Sequence, residues 1–67
     1  MISQGVRERW DRQIAYLLEH GERAGLSQWE ADFLDGASIR REFGKDLTMQ
    51  QSISLNRIYK KAQGRVG

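Results

Sequence analysis

The side chains of this sequence best suited to acid–base or metal chemistry are one histidine and a pair of aspartates. His20 lies beside Glu19 and Glu22, and Asp32 and Asp35 are three residues apart, so the two aspartates would share one helix face. A catalytic metal site needs about three protein ligands, and paired carboxylates act as acid and base only where burial separates their pKa values. Both sets lie among polar residues, so we expect them to be solvated. The sequence predicts no catalytic residue, no metal site, no cofactor and no small-molecule substrate.

A second group of reactive side chains is the set of cations in the C-terminal half. Residues 1–35 carry a net charge of −3, whereas residues 36–67 carry +5. This asymmetry is typical of a basic end that binds phosphates, or of two halves that attract each other within a fold or a dimer. Cations near helix C-termini also complement the helix dipole. The candidate nucleic-acid contacts are Arg40, Arg41, Lys45, Arg57, Lys60, Lys61 and Arg65.

Four aromatic side chains could stack on nucleic-acid bases or form a core. They are Trp10, Trp29, Phe33 and Phe43, and they recur at helical spacing among aliphatic neighbours. A domain this small needs large apolar side chains in order to fold. We therefore expect these aromatic residues, with leucines, to form the core.

Three helices are expected to position these side chains, at about residues 5–23, 28–43 and 49–63. Apolar residues recur along each at spacings of three and four, which places them on one face. Those of the first helix are Val6, Trp10, Ile14, Leu17 and Leu18. The second helix has a broader apolar face of Trp29, Phe33, Ala37 and, further round, Phe43 and Ile39. Those of the third helix are Leu55, Ile58, Tyr59 and Ala62. Gly25 and Gly44 follow the first two helices, where a glycine can take a positive φ.

The starts of the second and third helices are marked by capping boxes. Ser27 precedes Glu30 by three residues, and Thr48 precedes Gln51 by the same distance. In this motif the first side chain accepts from the backbone of the third helical residue, whose own side chain reaches back. Gly36 falls inside the second helix at a cost of roughly 1 kcal/mol relative to alanine. Either the helix breaks there or another backbone packs closely on Gly36, and we predict one continuous helix.

These elements predict an all-α, three-helix domain spanning residues 1–67. The loop between the second and third helices is short enough for antiparallel neighbours, so we expect these two helices to form an αα-hairpin. The sequence has no cysteine, which excludes disulfides and thiolate metal sites. No stretch approaches the roughly 18 apolar residues of a membrane span, and the N-terminus lacks the apolar run of a signal peptide. We expect a cytoplasmic protein.

Met49 and Ile53 depart from the pattern of the third helix. They are four residues apart and lie roughly opposite the stripe that begins at Leu55. A helix needs only one apolar stripe to pack on a core, so a second stripe indicates a partner, and self-association is its simplest form. This hypothesis predicts that Ile53→Asp shifts the protein toward monomer while its helical circular dichroism persists.

Residues 26–61 resemble a segment of small bacterial and phage-type proteins. The matching residues run from Leu26-Ser27 through Trp29-Glu30 and Phe33-Leu34 to Leu47-Thr48, and end with Gln51, Leu55, Ile58-Tyr59 and Lys61. Similar segments occur in short stand-alone proteins and beside phage replication or recombination functions. The resemblance implies a prokaryotic or phage accessory protein and supplies no site residue.

Two classes of function fit these features, and neither is enzymatic. The first is a protein-interaction module that self-associates or serves as an accessory subunit of a larger complex. The second is a small DNA-associated accessory protein that uses its basic C-terminal half. Salt dependence separates them, because phosphate binding weakens steeply with salt and apolar binding does not.

Overall fold

The computed structural model describes residues 2–66, with the backbone alone for Val66, as an all-α fold of three helices. They are α1 (Gln4–Ala24), α2 (Gln28–Glu42) and α3 (Met49–Val66). The predicted all-α three-helix fold is confirmed, and each helix end lies within three residues of the position predicted from the sequence.

The capping boxes at the starts of α2 and α3 are both formed. The Glu30 amide donates to Ser27 Oγ at 3.2 Å, and the Ser27 amide donates to Glu30 Oε1 at 2.9 Å. The Gln51 amide donates to Thr48 Oγ1 at 3.1 Å, and the Thr48 amide donates to Gln51 Oε1 at 2.9 Å. Each pair satisfies amides that the first helical turn leaves without a partner.

Glycines separate the helices without interrupting them. Gly25 and Gly44 have φ angles of 68° and 73°, in the left-handed region that favours glycine. Gly36 lies inside an unbroken α2, as predicted, and a Cβ built on it would meet nothing within 4 Å. No described backbone therefore packs on Gly36, and its surface is open.

The core lies mainly between α1 and α3, which pack most closely, while α2 packs more on α1 than on α3. α2 and α3 are joined by the expected short loop but are the least closely packed pair. The buried apolar residues are Trp10, Ile14, Leu17, Ala24, Leu34, Ala37, Leu47, Leu55, Ile58 and Ala62.

The expectation that four aromatic residues form the core is wrong for two of them. Trp10 is 2% exposed, but Trp29 is 63% exposed and Phe43 75% exposed, while Phe33 packs partly against the core. Leu18 and Ile39 were also expected on buried faces and are exposed.

The cause of this difference is the rotation of α2 about its axis. The helix turns a different stripe inward, which consists of Glu30, Leu34, Ala37 and Arg41. Two of these four residues, Glu30 and Arg41, are charged. The neighbouring stripe of α2, one position earlier in the sequence, does not face the core. Its apolar residues are therefore left at the surface.

Polar contacts set the position of α1 against α3. The Trp10 indole Nε1–H donates to Ser52 Oγ at 2.9 Å, and Gln13 Nε2 donates to Asn56 Oδ1 at 3.1 Å. The two donors are three residues apart on α1, and the two acceptors are four residues apart on α3. Because a buried polar group without a partner costs free energy, they favour one register of the two helices over others.

Arginines attach α2 and its following loop to α1. The Arg41 guanidinium lies over the Trp10 ring, 5.7 Å from its centroid, and donates to both carboxylate oxygens of Asp11 at 2.8 and 3.3 Å. Arg7 holds Asp46 in the same two-bond manner at 2.8 and 3.1 Å. Paired bonds of this kind fix orientation as well as distance.

Replacing either capping residue should weaken the fold. Ser27→Ala or Thr48→Ala removes the acceptor of an otherwise unpartnered amide and should cost about 1 kcal/mol. That loss corresponds to a fall in Tm of about 4–8 °C for a domain of this size. Thermal unfolding followed by circular dichroism measures it, with Ser54→Ala in the third helix as a control. An unchanged Tm in both capping variants would contradict the observed bonds.

Glu30 should make the fold sensitive to acid. The backbone amide of Ser27 lowers the pKa of the buried Glu30 carboxyl below its ordinary value of 4.5, with burial acting in the opposite direction and the Lys61 ammonium adding to the lowering. A carboxyl whose pKa is lower in the folded state stabilises above its unfolded pKa and loses that contribution as the pH falls through the folded value.

The expected result is a Tm that falls as the pH is lowered below about 4.5. Glu30→Gln keeps an acceptor for the Ser27 amide but cannot titrate, so its Tm should fall less over this interval. Asp46, whose pKa is lowered by its bonds to Arg7, acts in the same direction in both proteins. Parallel acid titrations of the two proteins would contradict this role of Glu30.

Candidate functional site

The most prominent surface feature is the outer side of α2, which we call the α2 aromatic face. It consists of Trp29, Phe33, Ile39 and Phe43 with Gly36 at its middle. Trp29 and Gly36 are seven residues apart on one side of α2, and Phe43, seven residues further on, is the residue that caps the C-terminal end of the helix. This stripe is one position from the buried stripe, a rotation of about 100° on a helix. The same helix therefore presents one stripe to the core and a second stripe to the surface.

Aromatic stacking and a shallow groove shape this face. The Trp29 and Phe33 rings stack with centroids 5.7 Å apart and an angle of 15° between planes. Beyond them lies an open groove of about 490 Å³ whose walls include Phe33, Gly36, Ile39 and Phe43, with Gln51 of α3 at one side. The groove exists because α2 and α3 pack so little against each other.

Charged residues border the groove at opposite ends. Asp32 lies at one end, where it accepts a hydrogen bond from Gln28 Nε2 at 2.9 Å. Arg40 and Lys45 lie toward the other end, and Arg40 Nε donates to the Asp46 carbonyl at 2.7 Å. The face is therefore apolar along its centre, acidic toward the start of α2 and basic toward its end.

Met49 and Ile53, the interface candidates of the sequence, are also exposed. They are 80% and 52% exposed, respectively, and lie off the core stripe of α3. With Ile2 and Val6 they line a groove of about 220 Å³ at the N-terminal ends of α1 and α3. This groove shares no lining residue with the one on α2. Their role as an interface stays a prediction. Their groove is smaller than the one on α2, and no exposed aromatic ring lines it.

Several of the candidate nucleic-acid contacts bind within the chain. Arg41 pairs with Asp11, Lys61 Nζ lies 3.2 Å from Glu30 Oε2, and Arg65 Nη1 donates to the Ala24 carbonyl at 2.9 Å. Two of these contacts join an acid of residues 1–35 to a cation of residues 36–67, as expected if the halves attract each other. The exposed candidates outside such bonds are Lys45, Arg57 and Lys60. Of the seven cations, Arg40 and Lys45 border one groove on α2, whereas Arg41, Lys61 and Arg65 are held by contacts within the chain.

His20 and the paired aspartates lie where no site is assembled. The partly buried His20 ring lies 4.6 Å from the Tyr16 ring, and its Nε2 is 3.8 Å from a Glu19 carboxylate oxygen. Asp32 and Asp35 are exposed. Among residues 2–66 no group of three potential metal ligands comes together. None of the described helices is sufficiently long and apolar to span a membrane.

Comparisons with protein-family models, with curated proteins and with solved structures found no match to this chain. The α2 aromatic face is therefore defined by its geometry alone. The sequence alone does not reveal this face, because aromatic residues at helical spacing equally suit a core. The sequence pattern that indicates such a face is a second apolar stripe beside the first in α2. Met49 and Ile53 are a second apolar stripe of the same kind in α3.

The two stripes of α2 should respond differently to substitution. Leu34→Ala removes a buried side chain and should cost about 2–5 kcal/mol, close to the roughly 3–5 kcal/mol total expected for a domain this small. Phe43→Ser alters an exposed side chain and should change the free energy of unfolding by no more than about 0.5 kcal/mol. Urea unfolding in dilute solution measures both. A Phe43→Ser variant as unstable as Leu34→Ala would place Phe43 in the core.

Proposed function

We propose that this protein is a non-catalytic protein-interaction module that binds its partner through the α2 aromatic face. The observation that carries the proposal is the exposure of Trp29 and Phe43 at the two ends of a helix whose other stripe already faces the core. Burial of such side chains on folding is the ordinary source of stability in a small domain. Their placement at the surface supports a role in binding.

The composition of the face supports protein binding over nucleic-acid binding. Tryptophan is enriched among the residues that dominate the energy of protein interfaces, particularly in desolvated centres surrounded by polar groups. Full burial of one large apolar side chain contributes roughly 1.5–3 kcal/mol. A nucleic-acid surface of this size would need several unpaired cations on the same side as the aromatic rings. Arg40 and Lys45 border the groove together with the acidic Asp32, and Arg41 and Lys61 are paired with carboxylates elsewhere.

Site-specific photo-crosslinking in the source cells tests this function. A photoreactive phenylalanine analogue replaces Phe43 in one variant and Arg12, an exposed residue of α1, in the control. We expect a discrete crosslinked protein product from position 43 and none from position 12, because a binding face is occupied and a solvated helix side is not. The absence of any product at position 43, or equal products at both positions, would contradict the proposal.

A further inference from the structure

The α2 aromatic face has the same arrangement of residue types when read from either end. Counted from Gly36, Phe33 and Ile39 lie three residues away, Asp32 and Arg40 four, and Trp29 and Phe43 seven. Apolar positions therefore match apolar positions, aromatic positions match aromatic positions, and the one acidic position matches a basic one. The face is therefore self-complementary in a two-fold symmetric contact centred on Gly36, in which each residue meets its mirror position on the other copy.

We propose that the partner of the α2 aromatic face is a second copy of this chain, with the two α2 helices antiparallel and crossing at Gly36. The inference rests on the proposed function and names its partner. In this arrangement Asp32 of each copy faces Arg40 of the other, and Trp29 of each faces Phe43 of the other. The two-fold axis passes by Gly36.

Gly36 suits the crossing point because it presents no side chain. A Cβ there would meet nothing within 4 Å in the fold, so the helix backbone itself is accessible. Small residues at a helix crossing let two backbones approach closely, so that flanking side chains meet. The groove of about 490 Å³ beside Gly36 then receives the Trp29 side chain of the second copy at its Phe43 end.

Charge complementarity selects the antiparallel orientation. A parallel pair would place Asp32 beside Asp32 and Arg40 beside Arg40, whereas the antiparallel pair forms two Asp32–Arg40 contacts. Arg40 can make this contact within its present fold, because its bond to the Asp46 carbonyl uses Nε and its Nη atoms carry further donors. Like charges opposed across an interface suppress the wrong arrangement.

The contact should be weak and dependent on concentration. α2 has 15 residues, so the paired helices meet over about 22 Å at 1.5 Å per residue. A single helix pair lies at the small end of specific interfaces, below about 1,200 Å² in total. We therefore expect dissociation in the micromolar range.

Charge reversal tests the pairing by sedimentation. Asp32→Arg opposes arginine to arginine, and Arg40→Asp opposes aspartate to aspartate, so each variant alone should dimerise at least about tenfold more weakly than the wild type. An equimolar mixture of the two restores both opposite-charge contacts, and heterodimers should form with an affinity within about threefold of the wild type. Recovery on mixing also shows that both variants are folded.

A disulfide test needs no charge change. The chain has no cysteine, and Gly36 and Gly64 are both helical glycines with open space at Cβ. Under mild oxidation, Gly36→Cys should crosslink into a dimer rapidly, because the two copies of position 36 meet at the axis. Gly64→Cys is the matched control and should crosslink at the slow rate of random collision.

Three results would overturn the inference. One is a wild type that stays monomeric at millimolar concentration while Gly36→Cys and Gly64→Cys crosslink at equal rates. Another is a dimer that withstands both charge reversals. The last is a dimer that Ile53→Asp disrupts and Asp32→Arg does not, which assigns self-association to Met49 and Ile53. In each case the proposed function is judged separately: a crosslink from Phe43 to a different protein sustains it, and no crosslink refutes it.

Discussion

The packing around Trp10 is the constraint on which the rest of the structure depends. Its indole is buried, donates to Ser52 Oγ on α3 and lies under the Arg41 guanidinium of α2, so this one side chain joins α1 to both other helices. Arg41 is fixed in turn by Asp11 and by the Lys45 carbonyl. In a chain with no disulfide and a thin core, these contacts determine both the register of α1 on α3 and the rotation of α2.

The rotation of α2 explains why an apolar stripe is left exposed. With Arg41 held over Trp10 and Glu30 held at the other end by its cap and Lys61, the inward stripe of α2 is set at both ends by charged residues. Within α2, Leu34 and Ala37 are the buried apolar side chains, and Phe33 packs partly against the core. Trp29 and Phe43 are on the adjoining stripe and cannot turn inward without breaking the contacts at both ends. Exposure of this stripe is therefore a consequence of the fold, and binding a partner is the role we propose for it.

The parts of the fold that were predictable from the sequence are those governed by local interactions. Capping boxes and left-handed glycines act within a few residues, so Ser27, Thr48, Gly25 and Gly44 marked the helix ends correctly. The rotation of α2 is not predictable from local interactions. Its two neighbouring stripes have the same helical period and differ only in the residues of α1 and α3 that they contact. The buried stripe is selected by partners 30 and 31 residues distant, Asp11 for Arg41 and Lys61 for Glu30. For α3 the same reasoning succeeded, since its main stripe of aliphatic residues far outweighs Met49 and Ile53.

The measurement that tests this account most directly is the response of the two tryptophan indole N–H resonances to protein concentration. The protein contains two tryptophans, one in the core and one on the α2 aromatic face, and nuclear magnetic resonance observes each indole separately. Trp10 donates to Ser52 in any state of assembly, so its resonance should stay fixed as the protein is diluted from millimolar to micromolar concentration. The Trp29 resonance should move along a binding curve and become constant at low concentration. A fixed Trp29 resonance, or a Trp10 resonance that moves as far as that of Trp29, would contradict the assignment of Trp10 to the core and of the α2 aromatic face to a second copy of the chain.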